Sequence, residues 1–405
     1  METTASTPAK PINWKLNLFV VWIGQLVGNC AVSFALPFIP LYLRERFGLV
    51  DEVARGSYIA AFEFFGMMSF CISNPIWGAL GDRYGRKLML LRAYFLNGLT
   101  IPLMMVAPTP VWLIVVRAVV SCFSGTISAS QALVVATTPE EHHGFALGAL
   151  STALWSGTVL GLLSGGLIVH FFSYRVAFFS CGAMLLVCGT ITLLFARENF
   201  VRAPKAATEG NPAGKRGLFN AAVVSLLLFF CLLSLARKMD NPFLAMLVEI
   251  IGGVDKAVLN TSYISALAAV GGIISGFLFG ALSDRFAPWK LAIPALAAAA
   301  GTMFLQAGAH SLWILAAARF FCYFAVGGVE PVAFALLSRS TDAEHRSAVL
   351  GWSASVRVLG SLLGAALSGA LISSIHTRGI FCAAGCVMVL LIPFGLLILR
   401  PRDGK

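Results

Sequence analysis

GALGDRYGRKLML, Gly78–Leu90, places Asp82, Arg83, Arg86 and Lys87 within six residues of a chain otherwise poor in charge, with long apolar runs on both sides. A worn copy, GALSDRFAPWKL at Gly280–Leu291, begins 202 positions later. Of 405 residues, 58% are hydrophobic and 12% charged, the latter about half the share of an ordinary soluble domain. Runs such as Leu88–Ala107, Val111–Ala136, Phe145–Phe172, Val176–Ala196, Leu259–Leu282 and Leu312–Leu337 are long enough for a helix to cross a hydrocarbon core. Lipid offers no water to unpaired backbone groups, so such runs are helices. The pattern predicts twelve, and the charged stretches are the turns between them.

The formal charge of +11 does not make a nucleic-acid surface, because Lys and Arg are scattered between the apolar runs and form no stripe. Topology explains them better. With a cytoplasmic N-terminus, the inside segments (1–15, 82–87, 137–144, 197–217, 284–290, 338–347 and 400–405) hold 17 Lys plus Arg, and the outside segments hold 6. That bias predicts both termini inside. The opening METTASTPAKPINWK is polar and has no cleavable leader, so the first membrane helix is expected to direct insertion. All nine cysteines fall in apolar runs without metal-ligand spacing. No cofactor or metal is expected.

The longest polar interruption, Arg197–Gly217, is rich in Pro, Gly and basic residues and reads as a cytoplasmic linker. It divides the chain into an N-terminal segment 1–15, a six-helix bundle 16–196, the linker 197–217, a second six-helix bundle 218–399 and a tail 400–405. The bundles echo each other. Asp82-Arg83 maps to Asp284-Arg285, and Arg117 with Gly125 maps to Arg319 with Gly327. With one residue inserted, Glu141-His142 maps to Glu344-His345, Gly157 and Gly161 to Gly360 and Gly364, and Arg175 to Arg378. An ordered series of this kind is an internal duplication, and an even number of crossings makes the repeats parallel about an axis along the membrane normal.

The pattern G-x-L-x-D-R-x-G-R-K, complete at Gly78–Lys87, resembles the signature of the major facilitator superfamily. The resemblance covers nearly the whole chain. It includes Pro37-x-x-Pro40, Arg117 and the glycine ladder of the fifth helix. PINWKLNLFVVW, LPFIPLYL and GRKLMLLRA look closest to the MdtG-like branch of its drug:proton antiporters. The resemblance implies an all-α membrane protein, twelve helices in two pseudo-symmetric bundles that rock about a central cavity, in the cytoplasmic (inner) membrane. It implies helices 5 with 8 and 2 with 11 at the seam between halves. It further implies a gate at Gly78, Asp82, Arg83, Gly85, Arg86 and Lys87, echoed at Asp284 and Arg285, in which Asp82 meets the start of helix 11 near Ser347. Glycines 81 and 85 supply the freedom for the tight turn, and the basic residues suit lipid headgroups. One departure stands out: GTVLGLLSGG has Leu162 where the antiporter pattern has proline.

Nine ionisable residues fall inside apolar runs: Glu63, Arg92, Arg117, Arg237, Lys238, Asp240, Arg319, Glu330 and Arg357. Each costs about 2.5–3.5 kcal/mol to insert unless it meets water or a partner. SLARKMDNPF in helix 7 sets four polar residues before Pro242, which breaks the helix near mid-membrane. In the superfamily, helices 1, 4, 7 and 10 line the cavity. That makes Gln25, Asn29, Ser124, Ser128, Gln131, Arg237, Asp240, Asn241, Tyr323 and Glu330 candidate lining groups. Glu330, Asp240 and Glu63 are candidate proton carriers, since a carboxylate in a low-dielectric cavity can load and release a proton. Arg117 joins them because the family's motif there is associated with proton transfer. Asp240 has basic neighbours in sequence that can hold it as an ion pair, and Glu330 has none nearby.

GNPAGKR lacks the spacing and the hydroxyl of a P-loop, and no G-x-S-x-G or H-E-x-x-H occurs, so neither ATP-driven transport nor hydrolysis is expected. The expected partners are a small-molecule substrate, protons and membrane lipid, with the protein acting as a monomer. Three readings stand: proton-coupled efflux of amphipathic compounds, a dedicated carrier of one polar or anionic metabolite held by Arg237 and Lys238, and a transporter-like sensor. The first two are told apart by whether those two cations face the cavity unpaired. The third calls for a long cytoplasmic domain.

Overall fold

The computed structural model describes residues 13–199, 221–283, 285–339, 341 and 346–399, and all regular structure among them is helical. Among the described residues, nine segments are long and apolar enough to cross a membrane. The last of them is two crossings joined at His376, where the backbone turns to φ 54° and ψ −178°. With that break, and with the shorter or interrupted segments 86–104 and 221–252, the chain makes twelve crossings. In order, α1 is Trp14–Phe47, α2 Glu52–Tyr84, α3 86–104, α4 Pro110–Thr137, α5 His143–Phe171 and α6 Tyr174–Phe195. The second set is α7 221–252, α8 Ala257–Ser283, α9 Pro288–Ala307, α10 Leu312–Arg339, α11 346–375 and α12 377–399.

Local chemistry sets the ends. Asn13, Asp51 and Ser173 cap α1, α2 and α6 by accepting from Leu16 N at 3.2 Å, Ala54 N at 2.7 Å and Val176 N at 3.3 Å. The turn between α2 and α3 is tighter than a six-residue loop. α2 runs on to Tyr84, α3 starts at Arg86, and Gly85 alone makes the turn at φ 101°. Gly81 has another job: it is buried within α2, and a Cβ there would sit 3.3 Å from Met89 Cγ. The backbone amides of Arg86 and Lys87, left free at the start of α3, donate to the Glu198 carboxylate at 2.9 and 2.8 Å.

The duplication is visible in space. α1 is interrupted by a 3-10 turn at Leu36–Phe38 and α7 by one at Asn241–Phe243, each with proline second. Gly157, Gly161 and Gly165 of α5 pack directly on the α1 backbone at Leu26, Cys30 and Phe34, and Gly360 and Gly364 of α11 pack on α7 at Cys231 and Leu235. These ladders therefore bind helices within each half. Helices α5 and α8, and α2 and α11, do meet at the seam, through other residues.

The two ends of the seam differ. At the end bearing Glu249, Gly56 of α2 abuts the Ile372 side chain of α11, and a Cβ at Gly369 would lie 2.9 Å from that of Ala60. There too Gly166 of α5 faces Ser262 of α8, whose hydroxyl donates to Leu162 O. At the end bearing Gly85, a Cβ added to Gly78, Gly144, Gly148, Gly276 or Gly351 would find nothing within 4 Å. The halves are thus closed at the Glu249 end and splayed at the Gly85 end.

Candidate functional site

Between the halves lies a cavity of about 270 Å³, walled by α1, α2, α5, α7, α8 and α10. Its apolar and aromatic surface comes from residues such as Ile59, Phe62, Trp155, Leu162 and Tyr323, with Ser33, Thr158 and Ser265 as neutral polar groups. Three charged side chains reach it: Glu63, Lys238 and Arg319. The Pro37 and Pro242 turns border the same space, so the paired breaks in α1 and α7 shape its wall.

Glu63 of the first half is the carboxylate of this cavity. Lys238 Nζ of the second half lies 2.7 Å from its Oε2, and Arg117 Nη2 lies 3.8 Å from the same oxygen. Arg319 is almost fully buried and ion-paired to Asp240; it also donates from Nη1 to Gln306 Oε1 and from Nη2 to Asn241 Oδ1, both at 3.1 Å. Tyr323 OH donates to Asn241 Oδ1 at 3.2 Å. A third cluster holds Glu330 between Arg237, at 3.1 Å, and Arg357. The three clusters hold five cations against three carboxylates.

These placements differ from the sequence reading in several respects. Asp240 is paired not with its chain neighbours but with Arg319, because one turn of α10 brings the guanidinium to it. It is 1% exposed, so it stands behind the cavity wall. Glu330, free of basic neighbours in sequence, is flanked by two arginines from α7 and α11, and neither it nor Arg237 lines the central cavity. Gln25, expected at the lining, is buried where α1 meets α4 and accepts from Ser130 Oγ at 2.9 Å. Asn29 donates to Gln25 O at 2.8 Å. Gln131 faces a separate groove with Arg86 and Gly148. Arg117 and Arg319, equivalent in the repeat, have different partners.

Ser124 and Ser128 belong to a second recess, at the splayed end, with Asn74, Trp77, Gly78, Asp82, Arg86 and Arg92. There α4 breaks at Ser124, and Gly125 takes φ 120°. Arg92 donates to Ser124 O at 3.1 Å and stacks 3.7 Å over the Trp77 ring, whose Nε1 donates to Cys122 O at 2.7 Å. Trp77 is therefore a packing partner for a half-buried cation. Asp82 and Arg83 are exposed at this end, as is Arg285. Asp284 and the side chain of Ser347, the expected latch partner of Asp82, lie outside the described residues.

At the closed end lies a cluster the sequence reading passed over. Glu249, buried, takes Arg55 of α2 on Oε2 at 2.7 Å and Arg44 of α1 on Oε1. Glu52 accepts from Thr377 N at 2.5 Å and lies 3.9 Å from His376. A carboxylate set in LAMLVEIIG was the available signal, since an acid inside an apolar run needs a partner. The cavity contributions of α5 and α8, and of Ile59 and Phe62 on α2, had none, because a small or aromatic residue reads alike toward lipid or toward water.

Comparison with known proteins places this architecture. A family model described as Major Facilitator Superfamily matches residues 21–305 and 226–405. The multidrug resistance protein MdtG of Salmonella heidelberg (strain SL476) is 30% identical over 381 residues, 94% of either chain, and that of Salmonella newport (strain SL254) is equally similar. Among solved structures, the nucleoside transporter NupG superimposes with a TM-score of 0.76 at 12% identity, over 96% of this chain and 100% of that one. The D-xylose-proton symporter gives 0.76 at 17% identity, over 96% and 99%. A bacterial homologue of the human lysosomal transporter Spinster, in an inward-facing and occupied conformation, gives 0.74 at 14%, over 99% and 100%.

Proposed function

The chain belongs to the major facilitator superfamily, and from that premise we propose that this multi-pass membrane transporter exports amphipathic small molecules in exchange for protons, by alternating access. The observation that carries the reading is the cavity itself. One carboxylate, Glu63, beside Lys238, faces a largely apolar and aromatic chamber that is shut at one end by cross-half contacts and splayed at the other. A wall of that kind recognises apolar bulk with few directional demands, as the similarity to proteins called multidrug resistance proteins suggests. The carboxylate supplies a proton site that each side reaches in turn.

The excess of Lys and Arg in segments at the Gly85 end makes that end cytoplasmic by the positive-inside rule. On that orientation the cavity opens inward, in the inner membrane, with Asp82 and its basic neighbours standing as the separated parts of a gate that closes when the halves rock. The linker 197–217 joins two bundles, 16–196 and 218–399, that move as a monomer's two bodies.

The surplus of cations around the three carboxylates favours a second reading, a carrier of one polar or anionic metabolite. Against it, Arg237 and Lys238 both have carboxylate partners. Flux of a panel of cationic, neutral and anionic amphiphiles in proteoliposomes under an imposed pH gradient separates the two. Exchange predicts gradient-driven flux that Glu63→Gln abolishes, with Asp240→Asn and Glu330→Gln as companions. Transport that ignores the gradient in the parent protein sinks the exchange reading.

A further inference from the structure

Several described ion pairs tie the two halves together. Those of Arg44 and Arg55 with Glu249, and of His376 with Glu52, lie at the closed end. Lys238 with Glu63 is different, because it sits in the substrate cavity. Glu63 is also close to the moving seam. Ala60, which faces Gly369 of α11, is three residues earlier on α2, so at 1.5 Å per residue Glu63 lies about 4.5 Å further along the same rod. A motion that draws Ala60 away from Gly369 pulls Glu63 away from α7 as well.

The pair is also exchangeable. Glu63 Oε2 has two cations beside it, Lys238 at 2.7 Å and Arg117 at 3.8 Å, the second beyond hydrogen-bond reach. Both side chains of the pair keep surface toward the cavity, 15% for Glu63 and 18% for Lys238. A better-placed donor, or an acceptor for the ammonium, therefore competes with it. Arg117 of α4 keeps Glu63 accompanied when Lys238 leaves. On α10, Arg319 is neutralised by Asp240, and Tyr323 is the other titratable group at the cavity. The α1, α5 and α8 walls contribute no ionisable group to the lining.

We propose that the Glu63–Lys238 pair is a lock that holds the empty, deprotonated carrier closed at the Glu249 end, so that Lys238 is the positioning residue that makes exchange obligatory. This rests on the proton-exchange reading above. A proton leaves the Glu63 carboxyl for water at the Gly85 end, and the carboxylate then pairs with the Lys238 ammonium. Substrate enters, and its polar or charged group takes one partner from the other. The halves rock, a proton from water at the far side binds the carboxylate, substrate departs, and the protonated carrier returns without the tie. An empty deprotonated carrier cannot make the trip.

The test uses the purified full chain with spin labels at Val106→Cys and Trp313→Cys, exposed positions on the two halves at the closed end, in a background without other reactive cysteines. Without substrate at neutral pH, Lys238→Ala is expected to raise the ratio of open to closed at that end about tenfold or more, as loss of a largely desolvated ion pair implies. Lys238→Arg should leave it near the parent value. In proteoliposomes, Lys238→Ala should leak protons without substrate and still let substrate equilibrate. Unchanged distances in a folded Lys238→Ala protein overturn the lock. So does a tight, fully coupled Lys238→Ala carrier beside a coupled parent, whatever its thermal stability. A parent that moves substrate with no proton flux overturns the exchange reading instead, while the label distances still decide the lock.

Discussion

Arg319 and Asp240 form an ion pair with 1% and 2% of their side chains exposed, in the middle of the second half. The guanidinium is held further by Gln306 and Asn241, so the pair is enclosed by hydrogen-bond partners from α7 and α9. Charges taken so far from water cost several kcal/mol each, and they are tolerated because each answers the other.

Removing one member should therefore be severe. Asp240→Asn leaves Arg319 buried with neutral partners only, and a loss of about 3–5 kcal/mol in stability is expected. Arg319→Met with Asp240→Leu should recover much of it. Thermal unfolding in detergent for the two singles and the double reads the difference. A double variant no better than the worse single would contradict a pairwise account.

At the closed end, Glu249→Gln removes the acceptor that Arg55 and Arg44 share. Arg55 is then a buried cation facing an amide, and the seam should open more often. Ile372→Cys, fully buried beside Gly56 in this state, should react with a water-soluble maleimide about tenfold faster in the Glu249→Gln background. An equal rate in both backgrounds would remove this cluster from the gate.

The glycine ladders give a contrast within one helix. A Cβ at Gly161 would enter the backbone of Cys30, whereas one at Gly148 meets nothing within 4 Å. Gly161→Ala should cost about 1–3 kcal/mol through overpacking, and Gly148→Ala should gain up to about 1 kcal/mol from helix propensity. Gly360→Ala should behave as Gly161→Ala does, since it meets Cys231 in the same way. Apparent melting temperatures of the three variants check the set.

His376 holds the α11–α12 junction at φ 54° and ψ −178°, a conformation that suits glycine. The strain of a side chain there is about 1–3 kcal/mol, and glycine's own entropy takes back about 0.5–1 kcal/mol. His376→Gly should therefore be as stable as the parent or more so by thermal unfolding. A clear loss of stability would mean that the imidazole's contact with Glu52 outweighs the strain.

The helices and their number were legible because lipid leaves a chain no alternative, and the repeat was legible because the motifs are local. Pro242 announced the break in α7, and the charged residues around it announced a polar centre. What lay beyond reading was pairing. Asp240 and Arg319 are 79 positions apart, and Glu63 and Lys238 meet only because the two halves are docked. Sequence neighbours suggested Arg237 and Lys238 for Asp240, but Lys238, two residues away, points to another helix face, and Arg237, three residues away, is taken by Glu330 of another helix. Gln25 failed for a related reason: a polar residue on a cavity-lining helix also serves where that helix packs on its neighbour.

Five cations and three carboxylates at the core leave two positive charges unbalanced, within halves whose proposed rocking would carry them part of the way across the membrane's electric field. Each elementary charge carried through the whole field is worth about 2.3 kcal/mol per 100 mV. Swinging the substrate-loaded protein, in which Glu63 and Lys238 are parted, should then generate a transient current, and the voltage at which it rests should bias which doorway stands open even when neither pH nor solute differs across the bilayer.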